Sequence, residues 1–520
     1  MTEPHTDRST ERSSTDRSDT RSEPDGSTVP GTGGRDGSAD DPDPGATRRP
    51  RDRLRATPRP ALVWSAVALV LLSLEFGAVA STVADLVATA WTALPLPLPG
   101  SPAGVVRAAD AVPTLTARSR IPNAGHFDGS QWVGTFAGWQ PRDAWLLRVG
   151  VVYAYAAAVV AWCLVGYRWY RRHYRSADWT PRDDVVDRFR DHRWGQFGLV
   201  VVLAFLVLAA FAPTLGPTTV ERNVADPFSH EVTYYDAGTG TVERTTVGSA
   251  NRAAQSRGIP DRNVGPLTYD RFGRFHPFGT LPSGKDLFTF LAAGARVSLL
   301  VGLLAVGIAA GLAVVFALLS AYFGGLVDLA FVVGSDSVMS LPQLLLLLLL
   351  SVLLSDTWLG RLYSGGIVLA LIYGATAWPF LWRALRGPAL RVADREWIEA
   401  ARSYGQRPTV TMRRHILPYV TGYLLVYGSM SLGGAVIAIA GLSFLGLGIS
   451  PPTPEWGRAV NAGQQYVASH SWHVSLVPGV LITLVVTGFN ALGDGIRDAI
   501  DPKTAGGSGD TQTASTGGGA

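Results

Sequence analysis

The sequence predicts an all-α integral membrane protein with about eight transmembrane helices, each about 20 residues long, and three observations support this. The 520 residues are 47% hydrophobic and only 17% charged. The apolar residues form uninterrupted blocks instead of recurring with the period of an amphipathic helix or strand, so they require lipid. Between the blocks lie segments rich in glycine and proline, of which the chain has 58 and 33, and these residues mark loops. Only helices satisfy the backbone of such unpaired spans in lipid.

Eight stretches are long and apolar enough, or nearly so, to cross a hydrocarbon core that requires about 20 residues of helix. The third and the sixth of them are short. In chain order the stretches are 61–80, 146–165, 197–211, 297–322, 329–354, 366–381, 420–445 and 474–492.

The two ends of the chain have the opposite composition. Residues 1–50 contain no aromatic residue and, after Met1, one large aliphatic residue, Val29. Such a segment buries too little apolar surface to offset the entropy cost of ordering. We therefore predict disordered polar tails at 1–56 and 503–520. A cleavable signal is not expected, because its apolar region would follow a short basic start.

Arginine in the short loops sets the predicted orientation. The loop between the sixth and seventh stretches carries eight arginines within 383–418, whereas the next loop has only Arg458. We therefore place the first of these loops in the cytoplasm. Eight crossings then put both termini on the cytoplasmic side.

The loops on the opposite side contain two further features. Residues 232–247 hold two β-rich runs around a glycine-containing turn, which predicts a hairpin. The loop at 81–145 is rich in proline and glycine and carries several aromatic residues. We expect these aromatic side chains to pack on the outer surface or at the lipid interface.

A short pattern in the cytoplasmic loop is typical of a docking surface. Glu399, Ala400 and Ala401 lie one helical turn before Gly405, and a second short helix can begin near Pro408. Small residues let a partner approach closely, and a glycine frees the backbone to turn. By itself the pattern is equally compatible with a solvated amphipathic loop.

The loop resembles the EAA loop of ABC importer permeases, in the form used by the dipeptide, oligopeptide and nickel subfamily. The resemblance rests on Glu-Ala-Ala at 399–401, on Gly405 and on His-Ile-Leu-Pro at 415–418. Further family-like strings follow in the family's order, and the resemblance covers roughly residues 197–502. These strings are His-Pro-Phe-Gly-Thr at 276–280, Gly-Ala-Arg-Val-Ser-Leu at 294–299, Tyr-Phe-Gly-Gly at 322–325 with Asp328, Asp336 and Pro342, Ser-Phe-Leu-Gly-Leu-Gly at 443–448, Pro-Pro at 451–452 with Trp-Gly at 456–457, and the segment 489–502.

The resemblance implies a six-helix permease core at 196–502, with its docking loop at 386–418, preceded by a two-helix membrane extension with an outer loop at 57–195. It implies the permease subunit of an ATP-binding-cassette importer of dipeptides, oligopeptides or a related small solute in the cell membrane. The implied partners are a second homologous permease, two ABC ATPase subunits and an extracytoplasmic solute-binding protein. The chain is expected to be no enzyme and to hold no cofactor or metal, because ATP and Mg²⁺ belong to the ATPase subunits.

Two sets of candidate functional residues accompany this resemblance. The ATPase-docking set is Glu399, Ala400, Ala401, Gly405, His415, Leu417 and Pro418. The candidate pathway or gating set is Asp336, Pro342, Ser443, Gly446 and Gly448. For Asp336, a helix-packing hydrogen bond is as good an interpretation as a pathway role. The chain departs from the family pattern at Ile439 and Val333, where a glutamate and an arginine are expected, so the solute class stays open.

Other interpretations have less support. Residues 279–285 fit the first seven positions of a Walker A loop, but Asp286 stands where a serine or threonine must bind Mg²⁺, so we predict no nucleotide site there. His470 and His473 have no acidic or thiol partner close in sequence for a metal site. A secondary transporter or channel without ATPase partners would need charged or broken helices at mid-membrane, and the stretches show few. Nucleic acid is not an expected partner, because basic residues cluster in short loops beside apolar stretches.

Overall fold

The computed structural model describes residues 54, 56–93, 103–112, 114–175 and 179–500. The tails predicted at 1–56 and 503–520 fall outside the described residues, apart from residues 54 and 56.

The described part of the chain is predominantly helical, with three short two-stranded sheets. The α-helices are α1 (Pro58–Leu74), α2 (Phe76–Ala93), α3 (Ala103–Asp110), α4 (Pro141–Trp169), α5 (Pro181–Asp191), α6 (Arg193–Ala210), α7 (Ala212–Leu215), α8 (Val247–Ala253), α9 (Leu287–Phe323), α10 (Gly325–Met339), α11 (Gln343–Leu354), α12 (Trp358–Arg361), α13 (Gly366–Ala393), α14 (Glu396–Ser403), α15 (Pro408–Thr411), α16 (Leu417–Phe444), α17 (Trp456–Gly463) and α18 (His473–Ile500). The strands are β1 (His126–Phe127), β2 (Trp132–Val133), β3 (Glu231–Asp236), β4 (Thr241–Thr246), β5 (Thr268–Tyr269) and β6 (Phe275–His276).

Six of the described helices are long and apolar enough to cross a membrane, or seven spans result if one bent pair counts as a span. The predicted helical membrane fold is thus confirmed. The bent pair is α10 and α11, which meet at 78° where we predicted one continuous span at 329–354. Pro342 has no amide hydrogen to continue the helical ladder, so a new helix begins after it. The first predicted span is shorter than expected, because α1 ends at Glu75.

Glu75 interrupts the helical segment formed by α1 and α2. Its carboxylate is buried and accepts hydrogen bonds from the backbone N–H of Thr116 at 3.0 Å and from the Thr116 hydroxyl at 2.9 Å. A carboxylate removed from water requires such donors. Glu75 therefore ties α1 and α2 to the segment that follows α3.

Two tryptophans join α1 to α4. The rings of Trp64 and Trp162 stack with their centroids 4.3 Å apart. Each indole N–H donates to the backbone carbonyl of the other residue, at 3.2 Å and 3.0 Å. Because lipid offers no hydrogen-bond partner, this reciprocal pairing satisfies both indoles and fixes the two helices against each other.

Helices α9 and α13 form the centre of the remaining bundle, and small residues bring them close together. Gly374 of α13 faces Ile308 of α9 so closely that a Cβ at Gly374 would lie 2.7 Å from the isoleucine side chain. Small residues at such an interface allow close packing between helices in lipid. Four alanines of α9 that are at most 1% exposed recur every four residues, namely Ala305, Ala309, Ala313 and Ala317.

Helix α5 connects the start of α6 to the end of α18. Arg188 donates to the backbone carbonyl of Ala499 at 2.8 Å, and the ring of His192 lies 3.1 Å from the carboxylate of Asp498. The predicted domain boundary after residue 195 falls inside α6, which begins two residues earlier. Beyond the boundary, a Cβ at Gly198 would lie 2.3 Å from the backbone nitrogen of Leu492, so residues on both sides of it contact the last helix.

The predicted hairpin at 232–247 is confirmed by the antiparallel pairing of β3 with β4. The aromatic residues of the preceding outer loop pack against this region. Phe127 of β1 meets Tyr235 of β3 edge-on at 6.1 Å, and Trp132 of β2 stacks on Tyr269 of β5 at 6.1 Å. The loop between α3 and α4 and the loop before α9 therefore share one packed surface.

Candidate functional site

The predicted docking loop consists of α14, a tight turn and α15, followed by the start of α16. Ile398 and Ile416 are fully buried and pack in the same apolar cluster as Leu385 of α13. The opposite side of α14 is exposed. The apolar side of α14 is therefore packed against α9, α13 and α16, which all contribute to this cluster.

Gly405 forms the turn between the two short helices. Its φ of +71° lies in the left-handed region that favours glycine. The N–H of Gly405 donates to the carbonyl of Arg402 at 2.9 Å, and the N–H of Gln406 donates to that of Ala401 at 3.1 Å. These bonds close the end of α14 in the way that glycine allows at helix ends.

Arg402 anchors α14 to the end of α9. Its guanidinium donates to the carbonyl of Tyr322 at 2.7 Å and lies 4.4 Å from the centre of the Tyr322 ring. The sequence placed Tyr322 in a family-like string but did not connect it with the loop. A distance of 80 residues along the chain hides this contact from any local pattern.

The structure brings all seven residues of the predicted docking set into this one unit. Tyr404, which was not predicted, is 91% exposed beside them. Its exposure could not be deduced from the pattern, which constrains only its neighbours. The exposed members are Glu399, Ala400, Gly405 and Pro418, and the half-buried members are Ala401, His415 and Leu417.

Two ion pairs join α10 to α13 near the docking loop. The Arg386 guanidinium donates a hydrogen bond to each carboxylate oxygen of Asp328, and the longer of the two bonds measures 2.7 Å. Arg383 pairs with Asp336 and also donates to the hydroxyl of Ser335 at 3.1 Å. Asp336 thus makes a helix-packing contact, which was one of its two predicted roles.

A cavity of about 650 Å³ lies where the break between α10 and α11 faces α13, α16 and α18. None of its lining residues is charged. The cavity therefore presents an apolar wall with a few neutral polar groups. Its lining residues are Val338, Met339, Leu341, Pro342, Gln343, Leu346, Tyr373, Thr376, Ala377, Phe380, Met430, Ser431, Gly434, Ile437, Val486 and Asn490.

Of the five candidate pathway or gating residues, the structure places Pro342 in the wall of this cavity. Ser443 instead lies in the last turn of α16, and Gly446 and Gly448 lie in the turn that follows it. The backbone N–H of Ile449 donates to the Ser443 hydroxyl at 3.4 Å. A Cβ added at Gly448 would lie 2.1 Å from the same hydroxyl oxygen. The polar lining residues Gln343, Tyr373 and Asn490 were not predicted, because only the tertiary fold brings their helices together.

A buried charge network precedes α9, outside the spans. The ring of His276 lies 2.8 Å from the carboxylate of Asp286 and 3.4 Å from that of Asp270, and Arg274 donates to Asp270 at 2.7 Å. Burial alone would lower the pKa of His276, but the hydrogen bonds to Asp270 and Asp286 outweigh burial and raise it. Burial opposes ionisation of Asp270 as well, yet His276 and Arg274 hold its pKa at about 2.

Asp286 also caps α9. Its carboxylate accepts the N–H of Thr289 at 2.7 Å, and its backbone N–H and carbonyl both bind the side chain of Asn223, at 2.8 Å and 3.0 Å. This explains physically why an aspartate follows the glycine and lysine of the rejected Walker-like segment. The carboxylate serves a histidine and a helix N-terminus.

Comparison with known proteins decides the family. The family model described as binding-protein-dependent transport system inner membrane component matches residues 313–506, and the one described as N-terminal TM domain of oligopeptide transport permease C matches 180–230. Dipeptide transport system permease proteins of Alkalihalophilus pseudofirmus and Bacillus subtilis are each 29% identical to the chain, over 62% and 63% of it and 90% of each relative. The glutathione transport system permease protein of Escherichia coli is 36% identical over 63% of the chain and 92% of the relative.

The chain belongs to the binding-protein-dependent permease family. It is the permease subunit of an ABC importer, as the loop pattern implied, and it is a multi-pass membrane protein. Permease subunits of this kind are not themselves enzymes. In the described part of the permease, no group of three or more His, Cys, Asp or Glu side chains is arranged to hold a metal ion, and His470 and His473 form no such group.

The stability of the permease is expected to fall as the pH rises above the ordinary histidine pKa. Because the pKa of His276 is raised in the folded state from 6.5, the network's contribution is fully present below that value and is lost as the pH rises through the folded pKa. The lowered pKa of Asp270 acts at the acid end of the pH range, where the stability that its carboxylate contributes is lost as the pH falls towards about 2. The thermal unfolding midpoint, measured from about pH 6 to about pH 9, should therefore decline.

His276→Gln should make that decline shallower, because the protonated ring that faces Asp270, Asp286 and Arg274 is gone. His230→Gln is the matched control, since His230 lies outside this network. An equal alkaline decline in wild type and His276→Gln would show that the network does not set the pH dependence.

Proposed function

We propose that this permease pairs with a second homologous permease and two ABC ATPase subunits to import dipeptides or oligopeptides. An extracytoplasmic binding protein delivers the solute. The names of the relatives support the solute class, since they are dipeptide and glutathione permeases. The uncharged cavity supports it as well, because its neutral polar groups suit peptide bonds.

The observation that carries the coupling role is the two-sided docking loop. Its exposed side offers the Glu399 carboxylate, the small Ala400 and the ring of Tyr404 to a partner. Its buried side contacts α9, α13 and α16 through Ile398 and Ile416. Movement of an ATPase bound on the exposed side is thus passed to the helices that line the cavity.

The proposed orientation puts this loop and both termini in the cytoplasm. Arginines at 391, 395, 402, 407, 413 and 414 are exposed on or next to the loop, and such charge remains on the cytoplasmic side. The surface formed by β1 to β4 then faces outward. Binding of ATP by the partner subunits would shift a two-state equilibrium between inward-facing and outward-facing cavities.

We further propose that residues 57–195 are an accessory module that steadies the outer surface. The indole of Trp145 on α4 donates to the carbonyl of Leu215 at 2.8 Å, and Arg148 donates to that of Gly216 at 2.9 Å. Both α4 side chains are buried. These contacts connect the extension to the core on the side opposite the docking loop.

Glu399→Lys is expected to reduce uptake of a labelled dipeptide by about tenfold, because reversing a charge at a partner contact costs on the order of 1–3 kcal/mol. The Glu399 carboxylate has no hydrogen-bond or ion-pair partner among the described residues, so the substitution should leave the permease folded. Uptake in cells, membrane levels and co-purification with the ATPase are the measurements.

Asp394→Lys is the matched control, because it makes the same charge reversal at an exposed position just before α14. Wild-type uptake and wild-type ATPase retention by the Glu399 variant would contradict the coupling role. Failure of the wild-type complex to take up any peptide would contradict the solute class alone.

A further inference from the structure

The break between α10 and α11 leaves a helix N-terminus open at the cavity. Helix α11 is 12 residues long, begins after Pro342 and has no side-chain cap. The first turn of a helix leaves its N–H groups without intrahelical partners. Among the described residues, the backbone N–H groups of Gln343, Leu344 and Leu345 make no hydrogen bond, whereas the next N–H reaches the carbonyl of Pro342.

An unpartnered hydroxyl lines the same cavity as this helix end. Tyr373 of α13 is 7% exposed, its ring packs in the apolar core, and it lines the cavity. Its hydroxyl would lie 3.4 Å from a Cβ at Gly434, which lines the same cavity. No hydrogen bond of this hydroxyl occurs within the described part of the chain.

A direct contact joins this helix end to α13, the helix that carries Tyr373. The side-chain amide of Gln343, the first residue of α11, lies 3.4 Å from the hydroxyl of Thr376. Thr376 follows Tyr373 by three residues, so both project from one face of α13. Asn490 of α18 adds a further amide to the lining.

These groups favour one kind of ligand. Free backbone N–H groups at a helix N-terminus carry partial positive charge and attract anions. A tyrosine hydroxyl and side-chain amides donate hydrogen bonds to the same anion. The cavity contains no carboxylate that would repel an anion and no arginine or lysine that would bind one tightly. Such a site binds an anion only weakly, which suits a transported solute because the solute must be released again.

On the premise that the solute is a peptide, as under Proposed function, we propose that the N-terminus of α11 and the Tyr373 hydroxyl receive the solute's terminal carboxylate during transport. The amides of Gln343 and Asn490 bind the adjacent peptide group. Helix α13, which carries Tyr373, also carries Arg383 and Arg386, which pair with α10. Movement at the docking loop can therefore change the geometry of this site.

The test uses the complete transporter in lipid nanodiscs without its binding protein. Saturation-transfer NMR titrations measure the weak binding of dialanine and of dialanine amide, which lacks the carboxylate. Uptake of labelled dialanine is measured in parallel, in proteoliposomes supplied with the binding protein. The variants are Tyr373→Phe, which removes only the hydroxyl, and Gln343→Glu, which places a negative charge at the helix end.

We expect wild type to bind dialanine about tenfold more tightly than its amide, since hydrogen bonds to charged groups are the stronger ones. Both variants should bind dialanine as weakly as wild type binds the amide and should take up dialanine about tenfold more slowly, and Tyr373→Phe should bind the amide unchanged. Tyr427→Phe is the matched control, because it makes the same change on α16 outside the cavity lining.

Equal binding of dialanine and its amide by wild type would overturn the carboxylate site, as would variants that bind and transport like wild type. Dialanine uptake without detectable binding in nanodiscs would also overturn it. In each of these cases peptide transport itself would stand. A wild-type transporter that neither binds nor takes up any peptide would instead overturn the proposed solute class.

Discussion

Replacing Gly405 with valine is expected to reduce solute uptake to background while the permease still inserts at normal levels. The φ of +71° at this position makes a β-branched residue a strong outlier, with a strain of roughly 1–3 kcal/mol. The turn would open, and the exposed side of α14 would lose its position relative to α15. Nothing lies within 4 Å of a Cβ at Gly405, so the effect comes from the backbone and not from a clash.

Gly311→Val in α9 is the matched control. A Cβ added at Gly311 would also have no atom within 4 Å, and the backbone at Gly311 is helical. Uptake in cells, membrane levels and ATP hydrolysis by the purified transporter are measured for both variants. Uptake that is the same in the two variants would show that the turn does not transmit coupling.

Asp286→Ala is expected to destabilise the permease by about 3–5 kcal/mol, because it leaves the protonated ring of His276 buried with one of its two carboxylate partners removed. The same change removes the cap of α9, the helix at the centre of the bundle. For a chain of this size, that loss corresponds to a decrease of roughly 3–5 °C in the unfolding midpoint. Thermal unfolding in detergent, followed by tryptophan fluorescence, measures it.

Two further variants separate the contributions. Asp286→Asn keeps an oxygen to accept the N–H of Thr289 but removes the negative charge, so an intermediate loss is expected. Asp261→Ala changes an exposed aspartate in the same outer region and should leave the midpoint unchanged. A midpoint for Asp286→Ala that matches Asp261→Ala would show that the network contributes nothing.

Several features could be predicted from local sequence alone. Uninterrupted apolar stretches located the long helices α4, α6, α9, α13, α16 and α18, because a span has to be apolar along its whole length. The hairpin at 232–247 followed from two β-rich runs around a glycine-containing turn. Glu-Ala-Ala, the spacing to Gly405 and the string at 415–418 identified the family, because short helices joined by a tight turn require those residues locally.

Features that depend on distant contacts could not be predicted in this way. The packing contact of Asp336 is made by Arg383, 47 residues later, which no local pattern connects with it. The string at 276–280 was assigned to the family without a physical role, because its histidine is explained only by Asp270 and Asp286 around it. Pro342 was singled out, but the 78° bend that it permits was not.

The sequence by itself determined that this protein spans a membrane and belongs to the importer permeases, since composition, apolar length and loop motifs are properties of contiguous residues. Only the tertiary structure decided where an uncharged cavity lies in the bundle. The cavity is built from α10, α11, α13, α16 and α18, whose polar lining residues are up to 147 positions apart, from Gln343 to Asn490. The hydrophobic periodicity of one helix does not indicate which of its faces will contact the other four helices, because that depends on how all five helices pack.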